Sequence, residues 1–161
     1  MFHEIEEIFK NENINLKKVL CKKFKVLPFQ AEMIMELYNK IDNYKTKTNN
    51  VEYANDLLIK LYKRLENGDC NKQSVIEKMA KDYCIKMIKD KNKSIGFLVY
   101  TCEMDLKGSI TFINEFLRLY NEEKEKLQQG LDVTSISLRK EEMIDKIYVK
   151  LIKKQKFINF S

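Results

Sequence analysis

A chain of 161 residues and 19.3 kDa is long enough to bury one sizeable core, and two domains would each be small. Hydrophobic residues make up 44% and charged residues 34%, which excludes wholesale disorder. The chain has only one proline and four glycines, and so few turn-forming residues favour helices over sheets. The 30 basic and 24 acidic residues give a net charge of +6, which suits a polyanionic partner but is also what a biased genome composition produces.

The first part of the chain predicts three helices, because apolar residues recur there every three or four positions. Asn15 is placed to cap the second helix, and Pro28 fits the first turn of the third. The polar segment that follows, residues 42–50, predicts a flexible loop. The apolar stripes are Phe2, Ile5, Ile8 and Phe9; then Leu16, Val19, Leu20 and Phe24; then Ala31, Ile34, Met35 and Tyr38.

Two further helices are expected between residues 50 and 88. Asn50 is predicted to cap the fourth helix, and Asn67-Gly68 to end it. Ser74 and Glu77 have the spacing of a capping box that opens the fifth.

The last part of the chain predicts three more helices. Ser94 is expected to cap the sixth, which would run to Gly108, although Phe97–Cys102 is rich in strand formers and a hairpin remains an alternative for this region. The seventh is expected to carry Ile113 and Phe116 and to end at Gly130, and the eighth to span Leu138 to Ile152.

These eight amphipathic helices predict an all-α fold formed by one domain spanning residues 1–161. Short connections favour antiparallel helix pairs, stacked as a short HEAT-like α-solenoid or packed as an irregular bundle. A stack buries its apolar faces against neighbouring pairs, and it therefore leaves an extended surface for partners.

The sequence contains no recognisable catalytic motif. The four glycines are isolated, so no phosphate-binding loop is predicted, and His3 is the only histidine. Adjacent acids such as Glu122-Glu123 point about 100° apart on a helix and are typical of solvated faces. We therefore expect no enzyme activity, cofactor, metal site or small-molecule substrate.

The cysteines predict that the protein resides in a reducing compartment. Cys21, Cys70, Cys84 and Cys102 are far apart and have the apolar neighbours of free, buried thiols. The acidic start lacks a secretory pattern, and no stretch has the roughly 20 apolar residues of a membrane span. A soluble protein of the cytoplasm is expected, and the nucleus also fits.

Two lysine clusters are the candidate nucleic-acid-binding residues. Lysine side chains suit contact with backbone phosphates. The same pattern is also explained by lysines on a solvent-exposed helix face, or by lysines in a last helical turn that offset the helix dipole. They are Lys17, Lys18, Lys22, Lys23 and Lys25, and near the end of the chain Lys150, Lys153 and Lys154.

The first cluster lies in a pattern with the apolar spacing of a DNA-binding helix-turn-helix, from Leu20 to Ile34. Two features depart from that motif. Lys25 stands where the turn usually has glycine, and Leu27-Pro28 stands where small polar residues usually begin the recognition helix.

Several segments taken together resemble the middle domain of eukaryotic translation initiation factor 4G, a stack of helix pairs of the HEAT type. Its characteristic stretch, Gly-Asn-Ile-x-Phe-Ile-Gly-Glu-Leu-x-x-Leu, is similar to Gly108–Leu119, with Ser109 in place of asparagine and Asn114 in place of the second glycine. Weaker likeness covers Ala31–Ile41, Val51–Leu57, Ile76–Met87 and Met143–Ile152. The chain supplies about four helix pairs, whereas the family has about five.

The resemblance implies a scaffold that docks a DEAD-box RNA helicase and touches RNA through basic faces. The leading hypothesis is thus a non-enzymatic scaffold of RNA metabolism, foremost in translation initiation. The alternatives are a helix-turn-helix DNA-binding regulator and an all-helical protein-interaction adaptor without nucleic acid.

Overall fold

The structure is a computed structural model that describes residues 2–159, and the side chains of residues 2–155. Within this part of the chain every regular element is helical, so the all-α prediction is confirmed. The elements are α1 (Phe2–Lys10), α2 (Leu16–Phe24), α3 (Pro28–Lys47), α4 (Val51–Glu66), a 3₁₀ turn (Asp69–Asn71), α5 (Gln73–Lys89), α6 (Ser94–Gly96) continued by a π-helical turn (Phe97–Thr101), α7 (Leu106–Gln128) and α8 (Thr134–Asn159). None of these helices combines the length and the apolar character needed to cross a membrane.

The chain divides into two compact units, Met1–Met79 and Ala80–Ser161, which are called unit 1 and unit 2 below. The boundary falls within α5. One domain across residues 1–161 stays a prediction, and each unit is described by itself.

Unit 1 begins its helices where the sequence predicts. The side chain of Asn15 accepts a hydrogen bond from the backbone N–H of Lys18, and that of Asn50 accepts one from Tyr53, each at 3.3 Å. Pro28 occupies the first position of α3, where a backbone N–H would have no acceptor within the helix, so its absence costs no hydrogen bond. The helices bury one core, which contains Ile5, Phe9, Leu20, Val26, Ala31, Ile34, Tyr38, Ile41, Ala54, Leu58, Leu61, Tyr62, Leu65 and Cys70.

A fully buried glutamine ties the start of α3 to the 3₁₀ turn. The Gln30 side-chain oxygen accepts a hydrogen bond from the backbone N–H of Leu27 at 2.9 Å, and its Nε2 donates to the carbonyl of Cys70 at 2.8 Å. Because both backbone groups lie in the core, the amide satisfies polar atoms that water does not reach.

The prediction of a flexible loop over residues 42–50 is wrong for most of its length, since α3 continues to Lys47. Ile41 is buried and anchors the last turns of the helix, and Tyr44 contacts Tyr53 of α4 with a ring separation of 5.9 Å. Polar residues without glycine or proline do not end a helix that tertiary contacts support. Only residues 48–50 connect α3 to α4.

Unit 2 is built around α7 and α8, which run antiparallel. Glu123, near the end of α7, pairs with Lys140 near the start of α8, while Glu103, which precedes α7, pairs with Lys154 farther along α8. Up to residue 155, the buried apolar residues of this unit are Ala80, Cys84, Ile88, Phe97, Leu98, Cys102, Phe116, Leu119, Ile136, Ile144, Ile147, Leu151 and Ile152.

Residues 94–101 and 106–114 are helical, as preferred over a hairpin, but both predicted boundaries of the sixth helix were wrong. Ser94 is its first residue, and Lys93 rather than Ser94 occupies the cap position. The sixth helical segment ends at Thr101, and Gly108 lies in the first turn of α7 rather than at a helix end. Gly108 donates its N–H to the Asp105 side chain at 2.7 Å, and a Cβ at this position would lie only 2.5 Å from the same oxygen. Glycine therefore permits the Asp105 cap. Likewise Ser74 does not cap α5, which begins at Gln73.

Candidate functional site

The structure sorts the five lysines of the first cluster into two kinds. Lys17 forms an ion pair with Glu32 of α3 at 2.7 Å, and Lys23 reaches Glu4 of α1 at 3.7 Å. In contrast, Lys18, Lys22 and Lys25 are exposed and form no ion pair with any residue that the structure describes. The sequence predicted the cluster but could not tell these two kinds apart.

The three unpaired lysines form what we call the α2 basic row. Lys18 and Lys22 are one turn apart and share a face of α2, and Lys25 follows directly at the C-cap. Lys25 has a left-handed backbone, with φ of 58°, where an L side chain is strained. A phosphate that approaches this row meets three lysines without displacing a protein carboxylate.

The α2–α3 pair has the connectivity of a helix-turn-helix, but the first three turns of the second helix carry two acids and no basic residue. Residues 25–27 form a three-residue turn, and Lys25 adopts the backbone conformation that glycine supplies in that motif. On α3, Glu32 and Glu36 are about 40% exposed, at 41% and 38% of their side-chain surface. Both carboxylates pair with lysines, Glu32 with Lys17 and Glu36 with Lys40, so these turns offer a DNA phosphate no unpaired cation.

The second lysine cluster is divided in the same way. Lys154 pairs with Glu103 at 3.3 Å, whereas Lys150 and Lys153 are exposed and form no ion pair within the described part of α8 and its neighbours. Both candidate clusters thus retain free lysines. They belong to different units, so each is treated as a separate surface.

No protein-family model, curated protein or solved structure matches this chain. Its function therefore has to be argued from its own residues. The likeness of Gly108–Leu119 to the initiation factor domain remains an interpretation of the sequence pattern.

Sequence reasoning missed a groove of unit 2, which we call the α5–α7–α8 groove. It encloses about 570 Å³, and its floor includes Ile85, Phe116 and Ile144. The ion pair of Lys81 with Asp145, at 3.3 Å, joins α5 to α8, and that of Lys140 with Glu123, at 2.7 Å, joins α8 to α7. Four of the charged side chains around the groove are therefore already paired with each other within the protein.

The second of these pairs is the more buried, with only 18% of the Lys140 side chain and 17% of the Glu123 side chain exposed. Glu123 also accepts a hydrogen bond from the hydroxyl of Ser137. Desolvation alone would raise the pKa of Glu123, but the hydrogen bonds from Lys140 and Ser137 and the lysine charge outweigh it, so the pKa is lowered. Glu123 is thus held as a carboxylate.

Tyr120 lies beside this pair and is flanked by two ammonium groups. Lys89 Nζ donates to the Tyr120 hydroxyl at 3.0 Å, and Lys140 Nζ lies 5.3 Å from the ring centre. The hydrogen bond from Lys89 and the surrounding positive charge lower the pKa of the phenol. One signal for the groove was present in the sequence: Glu123 lies seven residues after Phe116, on the stripe that buries the apolar side chains of α7.

The cysteines do not form a reactive site. Cys70, Cys84 and Cys102 are buried free thiols and Cys21 is half-buried. Desolvation raises the pKa of all four, that of Cys102 to about 12, and thiols of this kind are poor nucleophiles and ligands. Among the described residues, no group of histidine, cysteine or acidic side chains has a metal-binding arrangement.

Proposed function

We propose that the chain is a non-enzymatic scaffold of RNA metabolism, foremost in translation initiation in the cytoplasm, which contacts RNA through the α2 basic row and recruits a DEAD-box RNA helicase. The observation that carries the RNA contact is the exposure of Lys18, Lys22 and Lys25 without acidic partners. The helicase and the pathway rest on the sequence resemblance.

Lysine ammonium groups favour contact with the nucleic acid backbone over reading of base edges. Each is a compact point charge with rotatable donors, whereas base recognition in duplexes relies mainly on the planar fork of arginine. Each phosphate contact made to a single strand contributes about −0.7 to the slope of log K against log salt. Binding should therefore be independent of base sequence and steeply dependent on salt.

Paired double variants test this proposal. Lys18→Ala/Lys22→Ala removes two free lysines, and Lys17→Ala/Lys23→Ala removes the two paired ones with the same change in net charge. Titration of a fluorescein-labelled single-stranded RNA over a salt series should show weaker binding and a flatter slope for the first variant only. Equal effects of the two variants would contradict the assignment of RNA to this row.

The helicase part of the proposal has its own test. The immobilised full chain should retain a DEAD-box helicase from a eukaryotic extract after nuclease treatment, so that RNA cannot bridge the two proteins. Recovery of neither a helicase nor RNA would remove the scaffold proposal and favour an adaptor without nucleic acid.

A DNA-binding regulator remains the second candidate, because the three-residue turn with left-handed Lys25 fits a helix-turn-helix. Changing Lys18, Lys22 and Lys23 to alanine should then abolish binding of duplex DNA without affecting folding. Replacing Glu32 and Glu36 by glutamine should strengthen it. The RNA proposal predicts instead that single-stranded RNA is preferred over a duplex DNA of equal charge.

A further inference from the structure

We infer that the α5–α7–α8 groove is a docking site for a basic amphipathic helix of a partner protein, which inserts an apolar side chain between Asp82 and Glu141 and places a lysine or arginine against each. This inference deepens the scaffold part of the proposed function, because it names the chemistry of a partner. It does not depend on RNA binding.

The groove has the dimensions of a binding site for a few side chains. Its volume of about 570 Å³ lies within the range of roughly 300–1,000 Å³ usual for ligand pockets. Ile85 is half-buried and Tyr120 is partly exposed, so apolar surface of both remains available above Phe116 and Ile144, which are almost fully buried. A leucine or phenylalanine side chain would cover that surface.

The charges around the groove decide the polarity of its occupant. Six charged side chains line it, and four of them are joined in the pairs Lys81 with Asp145 and Lys140 with Glu123. The other two, Asp82 on α5 and Glu141 on α8, are exposed and form no ion pair within the described residues. Each of these two walls thus carries a carboxylate without an ion-pair partner, which favours a cationic partner.

An amphipathic helix has the spacing that supplies this pattern. Residues three and four apart lie on one face of a helix, so a single apolar side chain is flanked there by basic residues one turn away on either side. The buried side chains of Phe116 and Ile144 and the largely buried pair of Lys140 with Glu123 hold α7 and α8 in place before the partner arrives. Preorganisation of this kind reduces the entropy lost on binding.

Titration with a defined probe tests the inference. The probe is a fluorescein-labelled helical peptide of leucine, alanine and lysine, with lysines one turn before and after a central leucine; the control peptide carries glutamate in place of lysine. The native full-length chain should bind the lysine peptide only. The variant Asp82→Lys/Glu141→Lys should weaken this binding by about tenfold or more and should gain affinity for the glutamate peptide.

A matched variant controls for net charge. Glu52→Lys/Asp56→Lys places the same charge change on exposed residues of α4, in unit 1, and should leave peptide binding unchanged. Failure of the native chain to bind the lysine peptide, or equal binding by the Asp82/Glu141 variant, would overturn the groove assignment. Because the RNA titration uses Lys18 and Lys22, loss of RNA binding with retained peptide binding would refute only the RNA proposal.

Discussion

Two surfaces, one in each unit, use similar side chains in opposite ways. In unit 1, Lys18, Lys22 and Lys25 face solvent without acids, whereas in unit 2, Lys81 and Lys140 are joined to carboxylates inside a groove, where free acids remain on the rim. One surface leaves lysines without acidic partners and the other leaves acids without basic partners, although the chain as a whole has a net charge of +6. Net charge therefore says less about partners than the local pairing of each lysine.

The units also differ in how their interiors treat polar groups. Unit 1 buries Gln30 with its amide fully engaged, and it also buries the Tyr62 hydroxyl without a hydrogen-bond partner among the described residues. Unit 2 buries the small hydroxyl side chains of Ser94 and Ser109 and joins the partly buried charges of Glu123 and Lys140 in a connected pair. This contrast predicts four stability effects of different size and sign.

The largest effect is expected for Gln30→Ala. It leaves the Leu27 N–H and the Cys70 carbonyl buried without partners, at about 1–3 kcal/mol each, so the free energy of unfolding should fall by about 2–6 kcal/mol. Urea unfolding followed by circular dichroism measures this loss. Gln73→Ala, at an exposed position, should change stability little, and similar results for the two variants would contradict the role of Gln30.

Lys140→Ala should lower stability by about 1–3 kcal/mol at neutral pH, because Glu123 then keeps a poorly solvated charge with Ser137 alone. The lowered pKa of Glu123 gives stability that is present above its ordinary value of 4.5 and is lost as the pH falls through the lower folded value. The difference between native and variant should therefore shrink in acid. A difference that stays constant from neutral to acidic pH would argue against this pair; Lys126→Ala, which breaks an exposed pair, is the control.

Lys25→Gly should raise stability by about 0.5–1 kcal/mol, since glycine adopts the left-handed conformation without strain. The same change removes one lysine of the α2 basic row, so the salt slope for RNA should flatten by about 0.7. Thermal unfolding and RNA titration of one sample separate the two effects. Weaker RNA binding here cannot be attributed to unfolding, and an unchanged slope would exclude Lys25 from the contact.

The smallest effect is expected for Tyr62→Phe. The hydroxyl is buried without a partner, so its removal should leave stability unchanged or raise it by up to about 1 kcal/mol. Tyr53→Phe on the exposed start of α4 is the control. A clear loss of stability in Tyr62→Phe would mean that the hydroxyl is hydrogen-bonded.

Much of the fold could be predicted because it depends on local chemistry. Asn15, Pro28 and Asn50 mark helix starts through side-chain caps or a fixed φ, and the apolar stripes identify the buried faces. Residues 42–47 and Gly108 misled the prediction, since a tertiary contact supports the end of α3 and the Asp105 cap places Gly108 inside α7. Local polarity does not reveal either cause.

The candidate surfaces were only partly predictable for a related reason. The lysine clusters are visible in the sequence, but which lysines are free depends on Glu4, Glu32 and Glu103, which the fold brings to Lys23, Lys17 and Lys154. The groove combines residues from α5, α7 and α8 and has no linear motif. Pairing across helices is a property of the tertiary structure.

The salt dependence of RNA binding by the two double variants tests the central claim most directly. Loss of Lys18 and Lys22 should flatten the slope of log K against log salt by about 1.4, because two contacts of about 0.7 each disappear, while loss of Lys17 and Lys23 should leave it close to the native value. Equal slopes for the two variants, or a native chain whose RNA affinity does not change with salt, would contradict the claim that unpaired lysines of unit 1 form the RNA surface.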